Sequence, residues 1–124
     1  MEWTIQLNDL GFHTVTFPIL LQDGIDINVV CTLKDFASDP DLYLHEYDEQ
    51  NAFIDSKGHL WSWKYDKSNK TNLPGTIKST LTIDEVRKII SDYFKGAKTE
   101  QEVNKLTNQI LTIDGLINAI ADKL

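Results

Sequence analysis

The chain has 124 residues and a formal net charge of -7, with 41% hydrophobic and 25% charged residues. This length and composition predict one globular domain spanning 1–124 and argue against a disordered chain. No window approaches the roughly 18 apolar residues of a bilayer span, and the first residues lack the basic and apolar regions of a signal peptide. We therefore expect a cytoplasmic protein without a membrane partner. The single cysteine, Cys31, excludes an intramolecular disulfide.

Acidic residues are concentrated in the first half of the chain. Residues 1–55 contain eleven acidic residues and one basic residue, Lys34, whereas residues 56–124 contain eight acidic and eleven basic residues. An acidic surface makes duplex nucleic acid a poor partner and steers a basic protein toward it. The same pattern is typical of a solvated face that only keeps a protein soluble, and the sequence leaves both interpretations open.

The first half of the chain also predicts β-structure, because apolar and polar residues alternate there with the period of half-buried strands. The predicted strands lie near 2–8, 13–21, 25–33, 52–55 and 59–65. Gln22-Asp23-Gly24 is a hairpin signal between the second and third of them. Gly58 supplies the turn between the last two. We expect a loop over 66–75 and one more short strand over 76–81.

Residues 34–50 carry many carboxylates and few aliphatic side chains, and we expect a loop with one short helix that begins near Pro40. This segment is the predicted surface for a basic partner. Its candidate partner-binding residues are Asp35, Asp39, Asp41, Glu46, Asp48 and Glu49. Asp23 and Asp26 are reserve candidates for the same surface.

The last third of the chain predicts helices. Thr82 and Glu85 form a capping box, as do Thr99 and Glu102, and Gly96 is positioned to end the first helix. Apolar residues then recur at spacings of three and four through 103–124, as one long helix or a broken pair. The prediction is an α+β fold, an antiparallel sheet of about five strands covered by two C-terminal helices. Its expected core includes Val29, Cys31, Ile89, Phe94, Leu106 and Ile110.

We find no pattern that predicts a catalytic, metal or cofactor site. The histidines are His13, His45 and His59, and none has the spacing of metal ligands on a helix face. Asp55 and His59 flank the second predicted turn, where a surface hydrogen bond explains them as well as acid–base catalysis does. The aromatic stripe of Trp61, Trp63 and Tyr65 fits core packing first, a protein-binding hot spot second, and stacking of single-stranded nucleic acid last.

Two resemblances follow from particular residues. Phe53-Ile54-Asp55-Ser56-Lys57-Gly58-His59-Leu60-Trp61 resembles the "ID-x-x-G-x-aromatic" hairpin common in small bacterial immunity proteins, which are short, acidic and α+β. Phe17-Pro18-Ile19, Asp23-Gly24 and the same hairpin are similar to a pattern in an uncharacterised bacterial family. The first resemblance implies a protein that protects a cell from its own secreted toxin. Neither resemblance transfers a catalytic residue.

Together, the acidic surface and the first resemblance predict a non-catalytic immunity protein that neutralises a cognate basic toxin, such as a nuclease, by blocking its active site. An adaptor or homodimer that uses the C-terminal helix is the alternative. An enzyme with dispersed carboxylates is a third, less favoured hypothesis.

Overall fold

The computed structural model describes residues 2–124, and within them the alternating segments form a five-stranded antiparallel sheet. The strands are β1 (Ile19–Asp23), β2 (Asp26–Val30), β3 (Asn51–Ile54), β4 (His59–Asp66) and β5 (Thr71–Thr80). Their order across the sheet is β2-β1-β3-β4-β5, so β2 and β5 are the edge strands. The α+β class and the antiparallel sheet are therefore confirmed.

Six α-helices accompany the sheet in the described residues, with single 3₁₀ turns at Phe12–Thr14 and Ala121–Lys123. The helices are α1 (Glu2–Asp9), α2 (Leu33–Ala37), α3 (Pro40–Tyr43), α4 (Ile83–Phe94), α5 (Glu100–Asn108) and α6 (Ile113–Ile120). The predicted arrangement of a sheet covered by two C-terminal helices is not confirmed, since three helices follow the sheet and three others lie before or within it.

The two faces of the sheet pack against different helices, because side chains of consecutive strand residues point to opposite sides. Leu21 and Phe53 join one apolar cluster with residues of α1 and α2, including Leu7 and Phe36. The second cluster, formed with α4, α5 and α6, contains Leu20, Ile27, Ile54, Val86, Ile90, Phe94, Val103, Leu116, Ile117 and Ile120. Both faces of the central strands are therefore buried.

The predicted strand near 2–8 is wrong, since α1 occupies that segment. Trp3, Leu7 and Leu10 are spaced by four and three residues, and in a helix they face the same cluster. Ile5, which an alternating strand would bury, is 61% exposed. Over so short a segment the apolar residues fit both the period of a strand and the period of a helix. Packing against α2 selects the helix.

The strand prediction for 13–21 is correct only at its end, since β1 begins at Ile19, after Pro18. The predicted loop over 66–75 is also partly wrong, because β5 begins at Thr71 and pairs with β4 through two register shifts. Pro74 is tolerated there because β5 is an edge strand, where a missing N–H interrupts no central ladder.

The C-terminal helices differ from the sequence prediction in their caps. The capping box of Thr82 and Glu85 is present, whereas the side chain of Thr99 makes no capping hydrogen bond. The segment after 100 is a broken pair, because the Thr112 hydroxyl accepts the Gly115 N–H and starts α6. Gly115 is thus inside a helix that it does not interrupt.

The expected core is confirmed only at Phe94, which is buried. Cys31 is exposed because β2 ends at Val30, and the chain then enters the capped turn that starts α2. The other expected core residues, Val29, Ile89, Leu106 and Ile110, are half-buried. Val103 of α5 and Leu116, Ile117 and Ile120 of α6 take the inner positions instead.

Candidate binding site

The acidic side chains predicted from the sequence all lie on the surface. Those of 34–50 are exposed on α2, on α3 and in the loop that follows, at Asp35, Asp39, Asp41, Glu46, Asp48 and Glu49. The reserve residues Asp23 and Asp26 are exposed beside the β1–β2 turn. The segment contains two short helices rather than the one predicted.

None of these eight carboxylates forms an ion pair with a described side chain. The ion pairs within residues 2–124 join His59 to Asp55, Arg87 to Asp84, Lys88 to Asp92 and Lys123 to Glu102. These eight carboxylates therefore carry charge that no direct ion pair with a described side chain neutralises, which favours attraction of a basic molecule.

Two of the acids have local structural roles as well. The Asp39 carboxylate accepts the Asp41 N–H at 3.0 Å as the N-cap of α3, and the Asp48 carboxylate accepts the Gln50 N–H at 2.8 Å. Among the described residues, no such hydrogen bond involves Glu46 or Glu49. These two glutamates are therefore free to interact with a partner.

The loop that follows α3 is fastened to the sheet by one buried side chain, Asn72 of β5. Its amide nitrogen donates to the carbonyls of Leu42 and His45, at 2.9 and 2.6 Å. Its side-chain oxygen accepts the Tyr47 N–H at 3.2 Å. Because all three contacts lie in one short stretch, Asn72 sets the position of Tyr47.

Tyr47 packs against Trp63 of β4 with ring centroids 5.0 Å apart, and both rings border a surface cavity of about 230 Å³. We name this cavity the hairpin groove, after the β1–β2 hairpin on its other side. It is lined by residues that include Leu21, Asp23, Asp26, Tyr47, Asn51 and Trp63. Two of these are carboxylates, and no basic residue lines the groove among the described side chains.

The phenol of Tyr47 lies in an unfavourable environment for a negative charge. Partial burial, together with the carboxylates of Asp39 and Asp23, raises the pKa of Tyr47 to about 12. Asp39 of the 34–50 segment and Asp23 of the hairpin therefore both act on the same phenol. Tyr47 therefore remains a neutral hydrogen-bonding and stacking group at physiological pH.

A second cavity of about 310 Å³ shares the wall of Tyr47, Asn51 and Trp63. Asp48 and Glu49 line it, together with Lys78 of β5. Its acidic charge is therefore partly offset, unlike that of the hairpin groove. Asp35, Asp39, Asp41 and Glu46 line neither cavity, so the structure brings only part of the predicted set together.

The aromatic stripe serves mainly the interior. Trp61 is buried and stacks on Phe53 with centroids 5.8 Å apart and planes at 6°. Trp63 is half-buried and stacks on Phe36, at 5.7 Å and 8°. The core-packing interpretation is thus correct for Trp61, whereas Trp63 contributes both to the core and to the groove.

The predicted contact between Asp55 and His59 exists, but the carboxylate is buried rather than on the surface. It accepts the N–H groups of Lys57, His59 and the Trp61 indole at 2.9, 3.0 and 2.9 Å, and His59 Nδ1 lies 3.2 Å away. The Ser56 hydroxyl donates to the Pro18 carbonyl, linking this turn to the start of β1. The hairpin motif of residues 53–61 therefore links β1, β3 and β4.

The sequence prediction missed Asn72 and Tyr47 as determinants of the surface. Asn72 falls in a segment expected to be a loop, where an asparagine carries no signal of burial. Tyr47 lies in a segment whose sequence signal is its carboxylates, and a single tyrosine there carries no signal of a binding surface.

Within residues 2–124, no group of three or more histidine, cysteine, aspartate or glutamate side chains is arranged to hold a metal ion. No helix in this described part is long and apolar enough to cross a membrane. Comparison of the chain with protein-family models, curated proteins and solved structures gave no match.

Proposed function

We propose that this chain is a non-catalytic binding protein that neutralises a basic protein partner, as an immunity protein does with its cognate toxin. The observation that carries the proposal is a set of exposed carboxylates that form no ion pair with a described side chain, two of which, Asp23 and Asp26, line an aromatic groove. Carboxylates at the rim accelerate encounter with a cationic partner, and half-buried aromatic rings provide apolar contact area.

A toxin that acts on nucleic acid suits this surface best, because binding phosphates requires a cationic cleft. An acidic protein that occupies such a cleft competes directly with the substrate. The loop fastened by Asn72 presents its charges from a fixed backbone, which lowers the entropic cost of association. The protein needs no catalytic group for this role.

The alternative, an adaptor or homodimer built on the C-terminal helix, has less support. Val103, Leu116, Ile117 and Ile120 of that seam pack inside the chain against the sheet. They are therefore not free to form a second interface.

The proposal is tested by co-expressing the chain with the protein encoded by the gene next to its own. Cells that produce that neighbour alone should stop growing, and the chain should restore growth. Glu46→Lys with Glu49→Lys should abolish protection. The control is Asp114→Lys with Asp122→Lys, which changes the net charge equally at exposed C-terminal positions and should still protect. A neighbour that is harmless alone, or equal protection by both variants, would contradict the proposal.

A further inference from the structure

The hairpin groove combines an apolar floor, an aromatic wall and an acidic rim. Leu21 contributes apolar surface, Tyr47 and Trp63 form the wall, and Asp23 and Asp26 carry the charge. Its volume of about 230 Å³ lies below the roughly 300–1,000 Å³ typical of sites for drug-sized molecules. The groove therefore fits a single side chain of a larger partner better than a free metabolite.

The acidic rim has an energetic cost that packing does not explain. Asp23 and Asp26 are paired directly opposite each other at the end of the β1–β2 ladder, and like charges in such positions destabilise a hairpin. Neither carboxylate forms an ion pair with another described side chain. A cation placed between them would relieve this repulsion, so the charge arrangement complements a positively charged group.

We infer that the hairpin groove binds one arginine side chain of the basic partner, with the guanidinium packed against the wall of Tyr47 and Trp63 and donating to the carboxylates of Asp23 and Asp26. This inference rests on the proposed function and names the group that the partner inserts. Arginine fits better than lysine because its planar guanidinium stacks on aromatic rings and can donate several hydrogen bonds to carboxylate oxygens at once. The ammonium of lysine is instead a strongly hydrated point charge.

The direct test uses N-acetyl-arginine methylamide as the probe, with the signals of the Trp63 indole N–H and the Asn51 amide followed by NMR. The probe should cause saturable shifts at both positions. The citrulline counterpart, which has nearly the same shape without the charge, should cause none, and the lysine counterpart should bind at least several-fold more weakly. Equal shifts with citrulline or lysine, or shifts away from the groove, would overturn the inference.

Asp23→Asn with Asp26→Asn is the matched variant, and it should weaken binding of the arginine probe about tenfold or more. Because it removes the cross-strand repulsion, it should unfold at the same or a higher urea concentration than the wild type, so a loss of binding does not reflect misfolding. The control, Asp114→Asn with Asp122→Asn, should bind the probe as the wild type does. Unchanged binding by the groove variant would overturn the inference.

Failure of the inference is distinguishable from failure of the proposed function. If the neighbouring gene's product binds the wild type and the groove variant equally, the function stands and the arginine site is wrong. If the probe binds in the groove but the neighbouring product does not bind, the proposed function is wrong and the groove has another cationic ligand.

Discussion

The side-chain oxygen of Asn72 accepts the backbone N–H of Tyr47 at 3.2 Å, although the two residues lie 25 positions apart. The same side chain donates to the carbonyls of Leu42, in α3, and of His45, in the loop that follows. One buried amide on an edge strand therefore determines where the acidic loop meets the sheet and where the Tyr47 ring faces Trp63.

Asn72→Ala should destabilise the protein by about 1–3 kcal/mol, because it leaves two carbonyls and one N–H without their partners. Urea unfolding followed by tryptophan fluorescence measures the loss. Hydrogen exchange of the Tyr47 amide should also accelerate. The control is Asn118→Ala, an exposed position on α6, which should change little. Equal stabilities for the two variants would show that Asn72 does not hold the loop.

Gly58 and Gly96 both have positive φ, +87° and +82°, but their surroundings differ. A Cβ at Gly58 would lie 2.7 Å from the Leu81 carbonyl oxygen, whereas a Cβ at Gly96 would meet nothing within 4 Å. Gly96→Ala should therefore cost only the backbone strain of about 1–2 kcal/mol. Gly58→Ala should cost at least about 1 kcal/mol more, from the steric clash. Thermal or urea unfolding of both variants measures the two losses of stability. Equal losses would show that the Leu81 carbonyl does not lie so close to Gly58.

Asp55→Asn should destabilise the protein by about 1.5–3 kcal/mol, the usual value for hydrogen bonds to a charged group. The new amide nitrogen would replace one of the two oxygens and direct a donor toward the N–H groups that now point at that oxygen, either the Trp61 indole or the backbone of Lys57 and His59. Asp114→Asn, at an exposed position on α6, is the matched control for urea unfolding. A loss no larger than that of the control would mean that the buried carboxylate does not stabilise the turn.

The pKa of Tyr47, raised from 10.0 to about 12 by burial and by Asp39 and Asp23, has a defined effect on stability. Because the folded state binds the phenolic proton more tightly than the unfolded state, the contribution is complete below about pH 10 and is lost as the pH rises toward 12. Asp23→Asn with Asp39→Asn should lower the pKa only partly, since burial remains.

Tyrosinate absorbance gives this pKa when each protein is compared with its Tyr47→Phe counterpart, which removes the signals of the other tyrosines. An unchanged pKa in the double variant would show that the two carboxylates do not act on the phenol.

Local signals predicted the sheet, the capped start of α4 and the exposed acidic segment, because hairpin turns, capping boxes and charge runs depend on neighbours in sequence. The first helix does not follow from the sequence, because Trp3, Ile5 and Leu7 alternate as they would in a strand. Only the packing of the segment against α2 favours the helix. The link between Asp23 and Tyr47 depends on sheet order and on Asn72. Neither follows from any local pattern.

The structure also changes which substitutions test the acidic surface. Asp39 and Asp48 are both predicted partner-binding residues, but both carboxylates accept backbone N–H groups. Replacing them would disturb α3 and the loop as well as the charge. Glu46→Lys with Glu49→Lys changes the net charge by the same amount, and no described residue donates a hydrogen bond to either carboxylate.

The most direct test of the central claim, that the acidic surface binds a basic partner, is the association rate with the purified product of the neighbouring gene, measured at low and at physiological salt. Exposed charges are screened beyond about 8 Å at physiological ionic strength, so salt should slow association more than it changes dissociation. Glu46→Lys with Glu49→Lys should lower the association rate at low salt, and Asp114→Lys with Asp122→Lys should lower it far less. Equal association rates for wild type and the Glu46–Glu49 variant at both salt concentrations would contradict the claim.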